Sequence, residues 1–310
     1  MQPSRVGYPR HVAEAIITAG LTKSYGPVLA LDSLDLVVRR GEIFGFLGPN
    51  GAGKTTTIRL LLDVIRPDSG SASVLGLDPR SRGVELRTLT GYLPGDFVVD
   101  GRQTARQLLT YLGNLRGGVA RGRMDGLAER LGLDLGTRIG SLSKGNRQKV
   151  GLVQAFMHSP QLLILDEPTA GLDPFVAREV LTLATEARDN GQTVFMSSHI
   201  LSEVQQVADR TGIIRQGRLI AIDDMDDLST RSMRKVEVVF ADGVSPAEFE
   251  GIEGVTDLVV EDGLLHCRLV GEADALIKAV ARHRVIDFIS EEPDLEELFF
   301  HYYVGSSDVG

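Results

Sequence analysis

The 310-residue sequence predicts an α/β fold with an inserted helical subdomain, followed by a small α+β domain. Three observations carry that expectation. Apolar strand-like runs alternate with helical patterns, the order of a parallel sheet covered by helices. One of these runs, Ile43 to Leu47, leads through a glycine-rich turn directly into the helical pattern TTTIRLLLDVI. Beyond about residue 228, period-two strands begin afresh.

In chain order, Ala15 to Leu36 alternates apolar and polar residues and reads as short strands around a Gly26-Pro27 turn. The strand Ile43 to Leu47 and its helix follow. From about residue 97 to 158, apolar positions recur at helical spacing (ARQLLTYLGNLR, then MDGLAERLGL) and are broken by glycines, which predicts a helical subdomain between strands. Leu162 to Leu165 reads as a buried strand, Pro174 to Arg188 as a helix, and TVFMSS as a strand ending at His199. These elements define a first domain over 15–228. An acidic, loop-like stretch from Asp223 to Ser229 marks a linker. The second domain, 231–304, reads KVEVVF strand, SPAEFEGI short helix, VTDLVVED strand, LLHCRLV strand, EADALIKAVARH helix and RVIDFIS strand. That is the βαββαβ order of a ferredoxin-like unit. A closing helix, Asp294 to Tyr303, would align Leu295, Leu298, Phe299 and Tyr302 in one apolar stripe.

Composition narrows the function. An apolar share of 43% beside 24% charged residues supports a sizeable core. The net charge of −9 argues against a polyanion-binding surface, so no nucleic acid partner is expected. Cys267 is the single cysteine, cannot form an internal disulfide, and reads as an ordinary strand residue. No stretch approaches the ~18 uninterrupted apolar residues of a membrane span. The opening residues, MQPSRVGYPRHVAEA, lack the apolar segment of a signal peptide. A role at a membrane would therefore run through a partner.

Chemistry concentrates in two places. Gly48, Pro49, Asn50, Gly51, Ala52, Gly53, Lys54 and Thr55 satisfy G-x-x-x-x-G-K-[ST], with Thr56 following in the first helical turn. The glycines allow successive backbone N–H groups to turn toward one anion, and the helix N-terminus adds its positive end. Lys54 would reach the β- and γ-phosphates of a nucleotide, and Thr55 would offer its hydroxyl to Mg2+. The second place is LLILDE, Leu162 to Glu167, with two carboxylates at the mouth of an apolar strand. Unpaired charge there is costly unless a cation meets it. Asp166 would hold magnesium, directly or through water, and Glu167 would polarise the attacking water. The alternative is that the two carboxylates cap the next helix.

Leu142-Ser-Lys-Gly-Asn-Arg-Gln-Lys149, about twenty residues before LLILDEPTAGLD, resembles the signature motif followed by the Walker B and D-loop motifs of ABC ATPases. The resemblance covers about residues 15 to 228 and implies an ATP-hydrolysing P-loop NTPase fold that binds ATP and Mg2+. It further implies that Ser143 and Gly145 touch the γ-phosphate of ATP held by a second copy or a homologous subunit in a head-to-tail dimer. Gly171-Leu172-Asp173 matches the D-loop, His199 the switch histidine, and Tyr25 the aromatic that stacks on adenine. Read alone, Tyr25 is a surface turn aromatic and His199 a capping or core histidine. Partners implied by the family are separately encoded transmembrane permease subunits, which place the chain at the cytoplasmic face of the membrane.

Two positions depart from the family pattern. Gly95 stands where the family has a glutamine that reaches magnesium and water, leaving that role vacant or assigned to Asp96. LSKGN replaces LSGGQ, and Lys144 and Asn146 resemble the daunorubicin-resistance type of exporter. Export of a drug, antibiotic or lipid-like compound is thus the leading expectation. An importer ATPase is a second, and a non-transport ABC protein acting on ribosomes or DNA a third. The single cassette without a coiled-coil insertion disfavours the last.

Overall fold

The computed structural model describes residues 14–99, 101–120, 122–224 and 233–291. Backbone contacts divide the chain into two units, parting between Ile222 and Asp223. The first opens with strands β1 (Glu14–Tyr25) and β2 (Val28–Arg39), an antiparallel pair joined by the tight turn at Gly26. These are longer than the short strands expected. Register shifts along β1 absorb residues such as Gly20, whose φ is 58°, and let one strand continue through the irregularity. Strand β4 (Ser69–Val74) completes this sheet in the order β2-β1-β4.

The second sheet places the functional loops. It contains β3 (Ile43–Leu47), β5 (Thr90–Leu93), β6 (Leu162–Asp166), β7 (Thr193–Ser198), β8 (Arg210–Arg215) and β9 (Arg218–Asp224). Their order is β5-β6-β7-β3-β8-β9. The pairings β5–β6, β6–β7, β7–β3 and β3–β8 are all parallel. Every residue of β3, β6 and β7 is buried, and their centres carry continuous apolar runs in place of alternation, with polar residues only at the ends of β6 and β7. Phe44 stacks on Phe195 with centroids 5.9 Å apart, and Phe46 meets the same ring at 5.3 Å, pinning β3 to β7. This adjacency brings the C-terminal ends of β6, β7 and β3 side by side, where open parallel sheets present their binding crevice.

Helix α1 (Lys54–Leu61) leaves the glycine loop and stops earlier than the pattern TTTIRLLLDVI suggests. Asp63 takes a left-handed φ of 53°, which breaks the helical path before Val64. Helix α2 (Pro79–Leu89) is capped by Asp78 and feeds β5; neither it nor β4 stood out in the sequence, because SGSASV and PRSRGVELRTL carry little periodic apolar signal. The helical insertion comprises α3 (Ala105–Leu115), α4 (Arg123–Arg130) and α5 (Lys144–Phe156). Thr104 and Gln107 form a reciprocal capping box at the start of α3. Gly117 and Gly118, both at positive φ, follow its end. Helix α6 (Pro174–Asp189) and the short α7 (Leu201–Gln205) complete the unit.

The second unit holds β10 (Met233–Phe240), β11 (Val255–Glu261), β12 (Leu264–Val270), helix α8 (Asp274–Val280) and β13 (Val285–Glu291). Its sheet is antiparallel in the order β11-β12-β10-β13. The turn between β11 and β12 uses Asp262 and Gly263, both at positive φ, as a tight hairpin requires. Between β10 and β11, the expected short helix is a single 3-10 turn over Pro246–Glu248, since Gly251 at φ 79° ends it. That turn delivers Phe249 into a core with Val238, Leu265, Cys267 and Leu276. Burial raises the Cys267 thiol to a pKa of about 11, leaving it an apolar strand residue. The final helix expected over 294–303 lies outside the described residues.

Candidate nucleotide site

The loop after β3 follows directly from its glycines. Gly51 and Gly53 have φ of 80° and 111°, conformations that side chains rarely adopt. A Cβ at Gly53 would also lie 2.7 Å from the carbonyl of Ala30, so bulk is excluded as well as strain. Gly48 packs against the backbone of Ile214, which leaves the same lack of room. Pro49, Asn50 and Ala52 fill the arc, and the amide of Ala52 donates to the carbonyl of Pro49 at 3.1 Å. Lys54 begins α1 with Thr55 and Thr56 behind it.

Lys54 is 5% exposed and its ammonium is surrounded by acceptors. Its Nζ donates to the carbonyls of Gly48 at 2.5 Å and Pro49 at 3.2 Å, and lies 3.1 Å from Glu167 Oε1. Glu167 Oε1 has no aligned hydrogen bond, so its contact with Lys54 is chiefly electrostatic. The other carboxylate oxygen, Oε2, lies 2.7 Å from Nδ1 of His199. Glu167 itself sits at φ 50°, a left-handed conformation with a cost for a non-glycine residue. Its amide is held by both the carbonyl and the hydroxyl of Ser197, at 3.2 and 3.0 Å, and its carbonyl accepts from Gln148 Nε2 at 3.3 Å.

Asp166 is almost fully buried. Thr55 Oγ1 donates to its Oδ2 at 2.9 Å and Ser197 Oγ to its Oδ1 at 2.6 Å. Among the described residues no cationic side chain forms an ion pair with this carboxylate. A buried carboxylate compensated only by hydroxyls, with a threonine hydroxyl alongside, is the hard oxygen donor set that magnesium accepts. Asp166 also acts on Tyr92, half-buried on β5: burial first, and then this nearby negative charge, push the phenol up to about 12. Neither Asp166 nor Glu167 caps a helix. That place belongs to Asp173, whose carboxylate accepts from the amide of Val176 at 3.1 Å, with Pro174 next in the helix.

Five of the residues singled out from sequence therefore converge: Lys54, Thr55, Asp166, Glu167 and His199. His199, with its side chain 43% exposed, is neither a core nor a capping residue. A second group forms around the signature segment. Ser143 is the N-cap of α5, accepting from the amide of Asn146 at 3.2 Å. A Cβ at Gly145 would come 2.8 Å from the carbonyl of Gly171, so these two glycines bring the signature turn against the loop that ends at Asp173. Tyr25 stands at the end of β1, 45% exposed, with Lys23 Nζ 5.9 Å from its ring centre. A Cβ at Gly95 would lie 3.3 Å from Asp166 Oδ2, so position 95 faces the carboxylate, while Asp96 is exposed.

Sequence reasoning missed four polar participants: Gln148, Thr169, Ser197 and Glu203. Ser197 and Gln148 are buried polar residues that hold Asp166 and Glu167. A polar residue inside an otherwise apolar strand, as in TVFMSS, is the signal that could have found Ser197.

Known proteins resemble this chain in sequence and in fold. A family model described as "ABC transporter" matches residues 31–170. The chain is 39% identical over 233 residues to the bacitracin transport ATP-binding protein of Bacillus licheniformis, covering 73% of this chain and 75% of that protein. It is 34% identical over 300 residues to a daunorubicin resistance ATP-binding protein of Streptomyces coeruleorubidus, covering 93% and 95%. Among solved structures, an ATP-binding subunit of an ABC transporter superposes with a TM-score of 0.64 at 30% identity, covering 69% of this chain and 91% of that one.

Proposed function

This chain belongs to the ABC transporter family of ATP-binding proteins, and from that membership we propose that it hydrolyses MgATP to power export through separately encoded transmembrane subunits. The observation that carries the reading is the convergence of Lys54, Thr55, Asp166, Glu167 and His199 at the ends of three adjacent parallel strands. The phosphates occupy the loop between Gly48 and Thr56, where the first-turn N–H groups of α1 have no intrahelical acceptor, and Lys54 exchanges its carbonyl contacts for phosphoryl oxygens. Thr55 and Asp166 are the residues that hold magnesium, which when bound offsets the charge on the transferring phosphoryl group. Glu167 orients the attacking water and accepts its proton at Oε1 or Oε2. His199 and Lys54, one at each oxygen, aim that carboxylate. Tyr25 offers its exposed ring to the adenine.

Ser143 and Gly145 complete the site of a second copy or a homologous subunit in a head-to-tail pair. Asp173, which shares their surface through Gly171, belongs to the same contact. Export is supported by relatives whose names concern bacitracin transport and daunorubicin resistance. The permease would hold the chain at the cytoplasmic face of the membrane. Residues 233–291, whose strand order is that of a ferredoxin-like wind, form an accessory module outside the nucleotide site. The test is phosphate release by the purified chain with MgATP, with Glu167→Gln as control; an inert wild-type chain that also fails to bind ATP refutes the assignment.

A further inference from the structure

We propose that Glu203 is a positioning residue that ties the loop following Glu167 to the strand end that presents His199. The proposal rests on the ATPase reading of the site. Glu203 lies on α7, four residues beyond His199. Its Oε2 accepts two hydroxyl hydrogens at once: from Thr169 Oγ1 at 2.7 Å and from Ser198 Oγ at 3.1 Å. Both donor residues are buried, so leaving their hydroxyls without an acceptor would be costly.

Each donor belongs to a different part of the machinery. Ser198 immediately precedes His199, and its oxygen accepts the amide of Ile200, the residue immediately after, at 3.0 Å. One hydroxyl thus grips the backbone on both sides of the histidine. That hydroxyl has a single hydrogen, and the Glu203 carboxylate is nearer and charged, whereas the competing carbonyl of Ile200 lies at 3.3 Å. Because the His199 side chain is substantially exposed, packing does little to direct it. The backbone that Ser198 holds sets where Nδ1 meets Glu167 Oε2.

Thr169 lies two residues past Glu167 and opens the turn that ends at Asp173. The amide of Leu172 donates to its carbonyl at 3.1 Å, and the amide of Ala170 to the carbonyl of Glu167, also at 3.1 Å. Gly171 in that turn is the residue against which Gly145 packs. Glu203 therefore joins the segment contacting the signature turn to the segment carrying the histidine, with Glu167 between them. Converging hydroxyl hydrogens need an acceptor, and a carboxylate supplies one without adding a competing donor. None of the Glu203 bonds is made to Lys54 or to a glycine-loop residue, although the Gly48 amide donates to the Ser198 carbonyl at 3.2 Å, so the chemical step should depend on the tether more than substrate binding does.

The experiment compares the purified wild-type chain with Glu203→Ala, Glu203→Gln, Thr169→Val and the Glu203→Ala/Thr169→Val pair, reading kcat, KM for MgATP and Tm. Glu203→Ala should lower kcat about tenfold with KM changed by less than about twofold. Glu203→Gln, whose amide oxygen still accepts, should restore most of the rate. Thr169→Val removes one of the two hydroxyls at nearly constant shape and should give a smaller loss, and the pair should be no slower than Glu203→Ala alone. A purely structural role would lower Tm while leaving the kcat of the folded protein intact, and that result overturns the proposal. So would losses that multiply in the pair, or a Gln variant as slow as Ala. Wild-type rates in Glu203→Ala beside an inactive Glu167→Gln would refute the tether and leave the ATPase reading standing, whereas a wild-type chain without ATPase activity would overturn both.

Discussion

Replacing Glu167 by Gln removes one negative charge and leaves the volume and the hydrogen-bonding carbonyl nearly unchanged. The structure allows the consequences to be separated. Glu167 Oε1 is 3.1 Å from Lys54 Nζ, with side-chain exposures of 18% and 6%. At an effective dielectric constant of ~20 the attraction between them is about 5 kcal/mol. Losing the carboxylate charge leaves the buried Lys54 ammonium with only its carbonyl acceptors, so the stability loss should be about 3–5 kcal/mol. Binding should survive, because the glycine loop and Lys54 are untouched. The chemical step should not: positioned general-base assistance contributes roughly 10²–10⁴-fold, and the amide cannot take a proton from water. Phosphate release should therefore fall by at least about a hundredfold, while ATP affinity stays within a few-fold of wild type. Undecayed ATP, gripped by one chain's glycine loop and the other chain's Ser143 and Gly145, should then hold a dimer on size-exclusion chromatography that ADP does not support. Hydrolysis within tenfold of wild type would falsify the role given to Glu167, and a monomer under saturating ATP would contradict the head-to-tail arrangement.

Lys54→Ala should weaken ATP binding measured by calorimetry and abolish turnover, because among the described residues no other side chain brings a positive charge to the Gly48 and Pro49 carbonyls; near-wild-type hydrolysis would defeat the phosphate-loop assignment. Gly53→Ala forces a side chain into φ 111° and against the Ala30 carbonyl, so it should cost upwards of about 1–3 kcal/mol in urea unfolding and impair nucleotide binding together. His158 is held down to a pKa of about 4, first by burial and then by the Arg116 guanidinium 2.7 Å from its Nε2. The unfolded chain binds the proton more readily, so stability should fall as pH drops from about 6.5 toward 4. Solvent screening limits the loss to about 1–2 kcal/mol, and His158→Gln should flatten the slope; an unchanged slope refutes the cause. Deleting residues 231–310 should leave ATP binding intact, since every nucleotide contact described lies before β10; loss of binding in a folded truncate would show that the two units do not divide the work this way.

The parts of this protein legible in its sequence are those where local chemistry leaves little choice. Gly51 and Gly53 announce a loop of positive φ beside a helix, and LLILDE announces a buried strand ending in charge, because both demands fall on consecutive residues. The apolar runs of β3 and of β6 up to Leu165 were readable for the same reason: burial on both faces leaves an unbroken run. The order βαββαβ of the second unit was equally plain, apart from the helix that Gly251 cuts to one turn. Strand order was not. Nothing local to Ile43–Leu47 says that it pairs with Thr193–Ser198 on one side and Arg210–Arg215 on the other, since that follows from how helices pack over the whole sheet. Only this order brings Lys54 against Glu167 and His199 against the same carboxylate, across separations of more than 100 residues in the first case and 32 in the second. The supporting residues Gln148, Thr169, Ser197 and Glu203 were silent for a related reason. Each is an ordinary polar side chain whose meaning comes from a partner distant in the chain, and hydrogen-bond geometry of that kind exists only once the strands are assembled.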